Sequence, residues 1–286
     1  MLRRCVDTRL YKHAEASQWK TNDPRCSWTY YKGSSACDVI ENSPFNNIHF
    51  IGDSLNRNMF ATLVMLLSDE PMQKAWDKGL MSKLDVRCTS DTYYHWLDCR
   101  NLFGNFKKEL NSSKLCGGRK PNFDISNAIW HSVGESENFR KFMNSIQGKP
   151  NMLLVIGVGA HMAFDPDIVS NQFLDPALQG WKMNRLKYPN KSIWPQIIFV
   201  LPMRGSLLKP PVHIPYQDNR KLPHFASRLS DYCAALGITL MDFRQLGDLV
   251  HSFDGTHYGN GVNVMKNQIF LNHLSKITNS KDIGAV

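Results

Sequence analysis

Four short apolar runs punctuate the chain: Ile48–Ile51, Met152–Val158, Ile197–Leu201 and Ile238–Met241. Each is rich in branched residues and bounded by polar residues, Gly or Pro, as expected of buried strands in a parallel sheet. Between and after them, apolar positions recur at helical spacing over Leu55–Leu67, Glu137–Ile146, Pro166–Met183, Asn219–Leu236 and Asn263–Leu274. Strands alternating with helices predict an α/β fold with helices on both faces of the sheet and right-handed crossovers. The specific expectation is a three-layer α/β/α sandwich with a mostly parallel, flavodoxin-like sheet.

Two stretches break this rhythm. Residues 68–150 hold three cysteines, the cluster Tyr93-Tyr94-His95-Trp96 and the turn signal Cys116-Gly117-Gly118-Arg119-Lys120-Pro121, and read as an insertion decorating the sheet. Residues 1–45 carry three more cysteines with Trp19 and Trp28, and read as an irregular, cysteine-held wrap. With 286 residues, a chain of this composition buries roughly three quarters of its unfolded surface, enough for one core. The expectation is a single catalytic-sized domain over residues 1–286.

The longest apolar run, Ala61–Leu67, is interrupted by Thr62 and falls far short of the ~18 residues a membrane helix needs. Arg3, Arg4, Asp7, Arg9 and Lys12 leave no apolar core for a secretory signal. The cysteines argue against a reducing compartment nonetheless. Six of the seven lie within the first 116 residues, and Cys233 stands alone in a helical pattern. Six clustered cysteines predict a disulfide-bonded N-terminal half with one buried thiol, in an oxidising compartment reached by an upstream signal or anchor, the alternative being seven reduced cysteines in a cytosolic protein. No C-x-x-C spacing, H-E-x-x-H or calcium-loop pattern offers a metal site. The formal charge of +9 (34 Lys+Arg against 25 Asp+Glu) is spread thinly, without a basic cluster or a nucleic-acid module. A solvated basic surface that attracts acidic substrates is the expected consequence.

Candidate chemistry concentrates at two places. The strand Asn47-Ile48-His49-Phe50-Ile51 runs straight into Gly52-Asp53-Ser54, and a helix begins at once. Gly52 permits the sharp turn, and Ser54 falls where free backbone N–H groups and the helix dipole favour developing negative charge. An acyl-transfer nucleophile gains most at such a point; the alternative, that Asp53 or Ser54 merely caps the helix, is made less attractive by the strand-turn-helix context. A serine hydroxyl needs a base. Asp254-Gly255-Thr256-His257 supplies one, with an Asp three residues before a His on a Gly-containing loop, giving the chain order Ser, Asp, His. Asp248 and His251 repeat that spacing, but the later pair lies on the loop and is preferred. No G-x-S-x-G elbow surrounds Ser54, which argues against an ordinary α/β-hydrolase.

The run Phe50-Ile51-Gly52-Asp53-Ser54-Leu55-Asn56-Arg57-Asn58 resembles the first block of the PC-esterase group of SGNH (GDSL-like) hydrolases. That group includes the trichome-birefringence-like and Cas1-type O-acetyltransferases. Asp254-Gly255-Thr256-His257 is similar to its C-terminal D-x-x-H block, and a tryptophan with Cys26 and Cys37 precedes the first strand in a similar way. The resemblance implies Ser54 as nucleophile, His257 as base and Asp254 as its partner. It also implies a Golgi lumenal or extracellular setting, no bound cofactor, an acetyl donor as co-substrate and a glycan hydroxyl as acceptor. The activity implied is carbohydrate O-acetyl transfer, with acetyl-ester hydrolysis or glycan binding without turnover as alternatives. One departure stands out: where related enzymes supply an Asn to the oxyanion hole, this chain reads Gly157-Val158-Gly159-Ala160-His161. Backbone N–H groups of Ser54 and Gly159 are then the expected oxyanion donors. His161 is a candidate site residue or a satisfied histidine at the sheet edge. Arg57 could bind an acidic sugar or hold a carboxylate, and Tyr93, Tyr94 and Trp96 could stack on a sugar ring or belong to the core.

Overall fold

The computed structural model describes residues 29–68, 115–206, 209–248, 250, 252 and 254–279. Among these, five strands form one parallel sheet: β1 (Asn47–Gly52), β2 (Asp124–Ile129), β3 (Met152–Gly157), β4 (Gln196–Leu201) and β5 (Thr239–Asp242). Their order is β2-β1-β3-β4-β5, and every adjacent pair is parallel. The flavodoxin-like order expected from the sequence is therefore present, with its switch point between β1 and β3.

Successive residues of a strand face opposite layers. Leu153 and Val155 of β3 pack with Ile48 and Phe50 in one core, while Leu154 and Ile156 join Ile51, Phe199 and Leu201 in the other. The first core is closed by helices α1 (Gly33–Glu41), α2 (Ser54–Ser68) and α6 (Asn260–Asn279). The second is closed by α3 (Ser136–Ile146), α4 (Asp175–Lys187) and α5 (Leu222–Leu236). A π-helical stretch over Ile168–Leu174 leads into α4, so the helix expected from Pro166 to Met183 is two pieces. No described helix is long and apolar enough to cross a membrane.

Three expectations change. The segment read as an insertion contributes β2 to the sheet edge; in its sequence Asp124-Ile-Ser-Asn-Ala-Ile129 the polar pair Ser126-Asn127 sits in the middle, so it shows no apolar run. The N-terminal wrap is not irregular throughout, because α1 buries Ala36, Cys37, Val39 and Ile40 against α2. The helix expected from Asn219 starts at Leu222, where Pro223 at the first turn suits a fixed φ without an N–H.

Of the expected disulfides, Cys37–Cys116 joins α1 to the turn before β2. Cys233 is a free, buried thiol, and burial pushes its pKa up to about 12. Cys5, Cys26, Cys88 and Cys99 lie outside the described residues, as do Tyr93, Tyr94, Trp96 and His251.

Candidate active site

The turn after β1 is dictated by close backbone approach. Gly52 has φ +150°, and a Cβ there would lie 1.9 Å from the carbonyl oxygen of Gly157 on β3. Gly157 in turn leaves room for Asn56, whose side chain a Cβ would meet at 2.9 Å. That Asn56 Nδ2 donates to the carbonyls of Ile51 (3.0 Å) and Val155 (2.9 Å), tying β1 and β3 together beneath α2. The Asp53 N–H donates to the Gly157 carbonyl at 3.0 Å, and its Oδ1 accepts the Leu55 N–H at 2.9 Å. Asp53 is thus the residue that caps the helix. Ser54, the first residue of α2, is released from that duty.

The second piece comes from the loop before α6. Asp254 accepts three hydrogen bonds: Oδ1 takes the Thr256 N–H (3.0 Å) and the His257 N–H (2.8 Å), and Oδ2 sits 2.7 Å from His257 Nδ1. The carboxylate holds the proton on Nδ1, which leaves Nε2 as an acceptor. Ser54 Oγ lies 2.6 Å from that Nε2. Ser54, His257 and Asp254 are therefore brought into one hydrogen-bonded line across 203 residues of sequence. The loop is fixed by the Gly255 carbonyl, which accepts the Ser206 N–H at 2.8 Å, and by contact of Thr256 Oγ1 with Gln217. Lys209 Nζ donates to Gln217 Oε1 at 2.9 Å, and burial depresses its pKa while Asp254 opposes the shift.

Convergence of these two pieces follows from the helices that carry them. α6 lies along α2 in the same core, and polar side chains lock the pair: Asn267 Nδ2 donates to the Met59 carbonyl (2.9 Å), and Lys266 Nζ to the Leu55 carbonyl (3.1 Å). A buried amide or ammonium inside a helix is costly unless satisfied, so these bonds also specify the register of α6 on α2.

The remaining candidates divide. His161 follows β3 at the same carboxyl edge of the sheet and is exposed, with its ring 4.3 Å from that of His131. Desolvation lowers its pKa, the charge of Asp53 opposes this, and His131 and His257 lower it further. These couplings put His161 in the electrostatic field of the Ser54 site. Gly159, with φ +142°, opens the short turn Ala160–Met162 at the same edge. Arg57 is only 6% exposed within α2, which leaves it little surface for a substrate and favours its structural role. No group of three or more potential metal ligands occurs among the described residues.

Several site residues carry no signal at sequence level. His131 follows the irregular strand β2, and it is linked to Glu135, whose Oε2 accepts the His131 N–H at 2.7 Å. Asn56 is visible in the first motif only as a neighbour of Ser54, and Lys266 sits in a helix that gives no hint of its burial.

No family model matches the chain, and no curated protein sequence matches it. Solved structures similar to it include a Mycobacterium smegmatis aryl esterase, at 10% identity and TM-score 0.45, covering 81% of this chain and 99% of that one. Est24, a carbohydrate acetylesterase from Sinorhizobium meliloti, matches at 10% identity and TM-score 0.46 with the same coverage. A GDSL-like lipase from Bacteroides thetaiotaomicron matches at 13% identity and TM-score 0.41, over 81% of this chain and 88% of that one. Likenesses at such identities and scores carry no argument about activity, which rests on the geometry of this chain.

Proposed function

We propose that this chain is a serine-dependent acyl-transfer enzyme whose physiological reaction is O-acetylation of glycan hydroxyls. The observation that carries the reading is the line Ser54 Oγ, His257 Nε2, His257 Nδ1, Asp254 Oδ2, with contacts of 2.6 and 2.7 Å. In this reading Ser54 Oγ attacks the carbonyl carbon of an acetyl ester while His257 Nε2 takes its proton. The tetrahedral oxyanion forms beside the first turn of α2, where backbone N–H groups of Ser54 and Gly159 serve as donors. Collapse expels the donor alkoxide, which receives the proton back from His257. An acetyl-serine ester remains. An acceptor hydroxyl then gives its proton to His257 and attacks the acetyl carbon, and on collapse Ser54 Oγ leaves and takes that proton back from His257. Asp254 keeps the imidazole in one tautomer throughout and stabilises the imidazolium.

Water performs the second half-reaction equally well in chemical terms, which would make the enzyme an acetyl esterase. Transfer requires that an acceptor sugar displace water from the acyl-enzyme. His161, exposed at the carboxyl edge of the sheet, within the field of Asp53 and His257 and with its ring against that of His131, is a candidate contact for such an acceptor. The Cys37–Cys116 bond supports an oxidising, secretory setting for this chemistry.

The deciding experiment is a fluorophosphonate probe, with mass spectrometry of the labelled peptide, followed by an acetyl-ester donor with and without candidate glycans. Labelling at Ser54 with acetyl groups recovered on the glycan is the expected result. Labelling with acetate as the sole product makes the chain an esterase, and absence of label at Ser54 removes the nucleophile assignment.

A further inference from the structure

Lys266 is 2% exposed on α6, at the back of the Ser54 turn. Its ammonium has three N–H donors but, among the described residues, one acceptor in hydrogen-bond range, the Leu55 carbonyl at 3.1 Å. The ring of Phe243 lies beneath it, 5.9 Å from Nζ. Lys266 also lines a small cavity together with Asp53, Asn56, Gly157 and the segment Val200–Met203. Two buried acceptors among these residues, Asp53 Oδ2 and Asn56 Oδ1, have no hydrogen-bond partner among the described residues. The cavity has room for about one water. A water would accept one bond from the ammonium and donate one to each oxygen, which is the usual complement of about three for a buried water.

We propose that Lys266 is a positioning residue for Ser54, acting directly on Leu55 and, through one bound water shared with Asn56, on Asp53. The inference rests on the reading of Ser54 as nucleophile. Leu55 and Asp53 flank Ser54 on either side, so a single ammonium fixes both ends of the turn that aims the hydroxyl. It also offsets the negative charge of Asp53, which would otherwise oppose an oxyanion forming at the next residue. Burial pushes the Lys266 pKa down to about 8, and Asp53 opposes that shift. Asp53 is the charged group that bears on it among the described residues; the walls from α2, β3 and β4 and the Phe243 ring add none.

Two measurements test the proposal. In a high-resolution crystal structure of the protein, one water should lie within hydrogen-bond reach of Lys266 Nζ, Asp53 Oδ2 and Asn56 Oδ1. In the second, the rate of Ser54 labelling by a fluorophosphonate is followed against pH. The wild type should lose rate through an apparent pKa of about 8 as the ammonium deprotonates. Lys266→Met should be about ten- to a hundredfold slower near neutral pH and lack that alkaline limb. Asp53→Asn should move the limb to lower pH, an effect that a purely structural lysine would not produce. A site without the bridging water, a Lys266→Met enzyme at the wild-type rate, or a limb unmoved by Asp53→Asn would each overturn the proposal. If wild-type Ser54 takes no label at any pH, the nucleophile reading fails instead, and the water alone decides whether Lys266 and Asp53 are joined.

Discussion

The two pieces of chain that meet at Ser54 Oγ are built in opposite ways. The β1–α2 turn is held by backbone packing: Gly52 against Gly157, the Asp53 N–H on the Gly157 carbonyl, and Asn56 across two strand carbonyls. Asp53 and Asn56 are both buried there. The Asp254–His257 loop is only partly buried and is organised by one carboxylate that accepts two backbone N–H groups and faces the imidazole. The first region therefore places the Ser54 hydroxyl through the fold itself, while the second places the His257 imidazole through side-chain hydrogen bonds. Changes in the turn should appear mainly as lost stability and changes in the loop mainly as lost rate, with Ser54 itself the exception because its hydroxyl supports no part of the turn.

The largest effect tests that exception. Ser54→Ala should lower turnover on an acetyl ester by at least about 10⁴-fold, since triad members act as a unit, with melting within a degree or two of the wild type. Near-normal turnover would show that the hydroxyl is not the nucleophile. Asp254→Asn should cost about 10⁴-fold in kcat, through loss of the tautomer control on His257, and little stability. A large drop in denaturation midpoint without a rate defect in the folded fraction would reverse the comparison.

Gly52→Ala is the converse case. A methyl group at 1.9 Å from the Gly157 oxygen, on a residue at φ +150°, combines overpacking with backbone strain and should destabilise the fold by about 3 kcal/mol. Urea denaturation with an unchanged midpoint would mean the β1–β3 approach is looser than described.

The smallest effect concerns pH and the buried cation behind the turn. Lys266 has a folded pKa near 8 against an ordinary value of 10.5, so between those values the unfolded chain binds more protons than the folded one. Stability contributed by this group therefore rises with pH across that window, by roughly 3 kcal/mol in all, and the cost of the buried charge is fully present below it. Lys266→Met should abolish that slope in denaturation measured from pH 7.5 upward. Parallel curves for the two proteins would place the titration elsewhere.

Much of this arrangement could be read along the chain, for identifiable reasons. Strands β3 and β4 are buried on both faces, so each announces itself as an uninterrupted apolar run, whereas β1 is broken by His49 and β5 is only partly buried, and both still show as short apolar stretches. β2 could not be read because the two residues it buries, Ser126 and Asn127, are polar, so burial leaves no apolar run in the sequence. α1 is nine residues long and borrows its stability from α2 and a disulfide, so its local pattern is weak. At the site, Ser54 and the Asp254–His257 pair stood out because a strand-to-helix turn and a D-x-x-H spacing are local features. Asn56, His131 and Lys266 did not, because nothing within a few residues of them distinguishes their roles.

The amino-acid order alone determined the alternation of strands and helices, the position of the Gly52-Asp53-Ser54 turn, and the presence of a carboxylate three residues before an imidazole. These depend on backbone preference and on periodic burial, which act over a turn or two of chain. Only the folded molecule decided that Asp53 caps the helix while Ser54 faces His257, that Arg57 is withdrawn from solvent, and that a lysine from the last helix lies behind the first turn. Those outcomes depend on α6 docking along α2, a contact between segments some 200 residues apart that no local rule can encode.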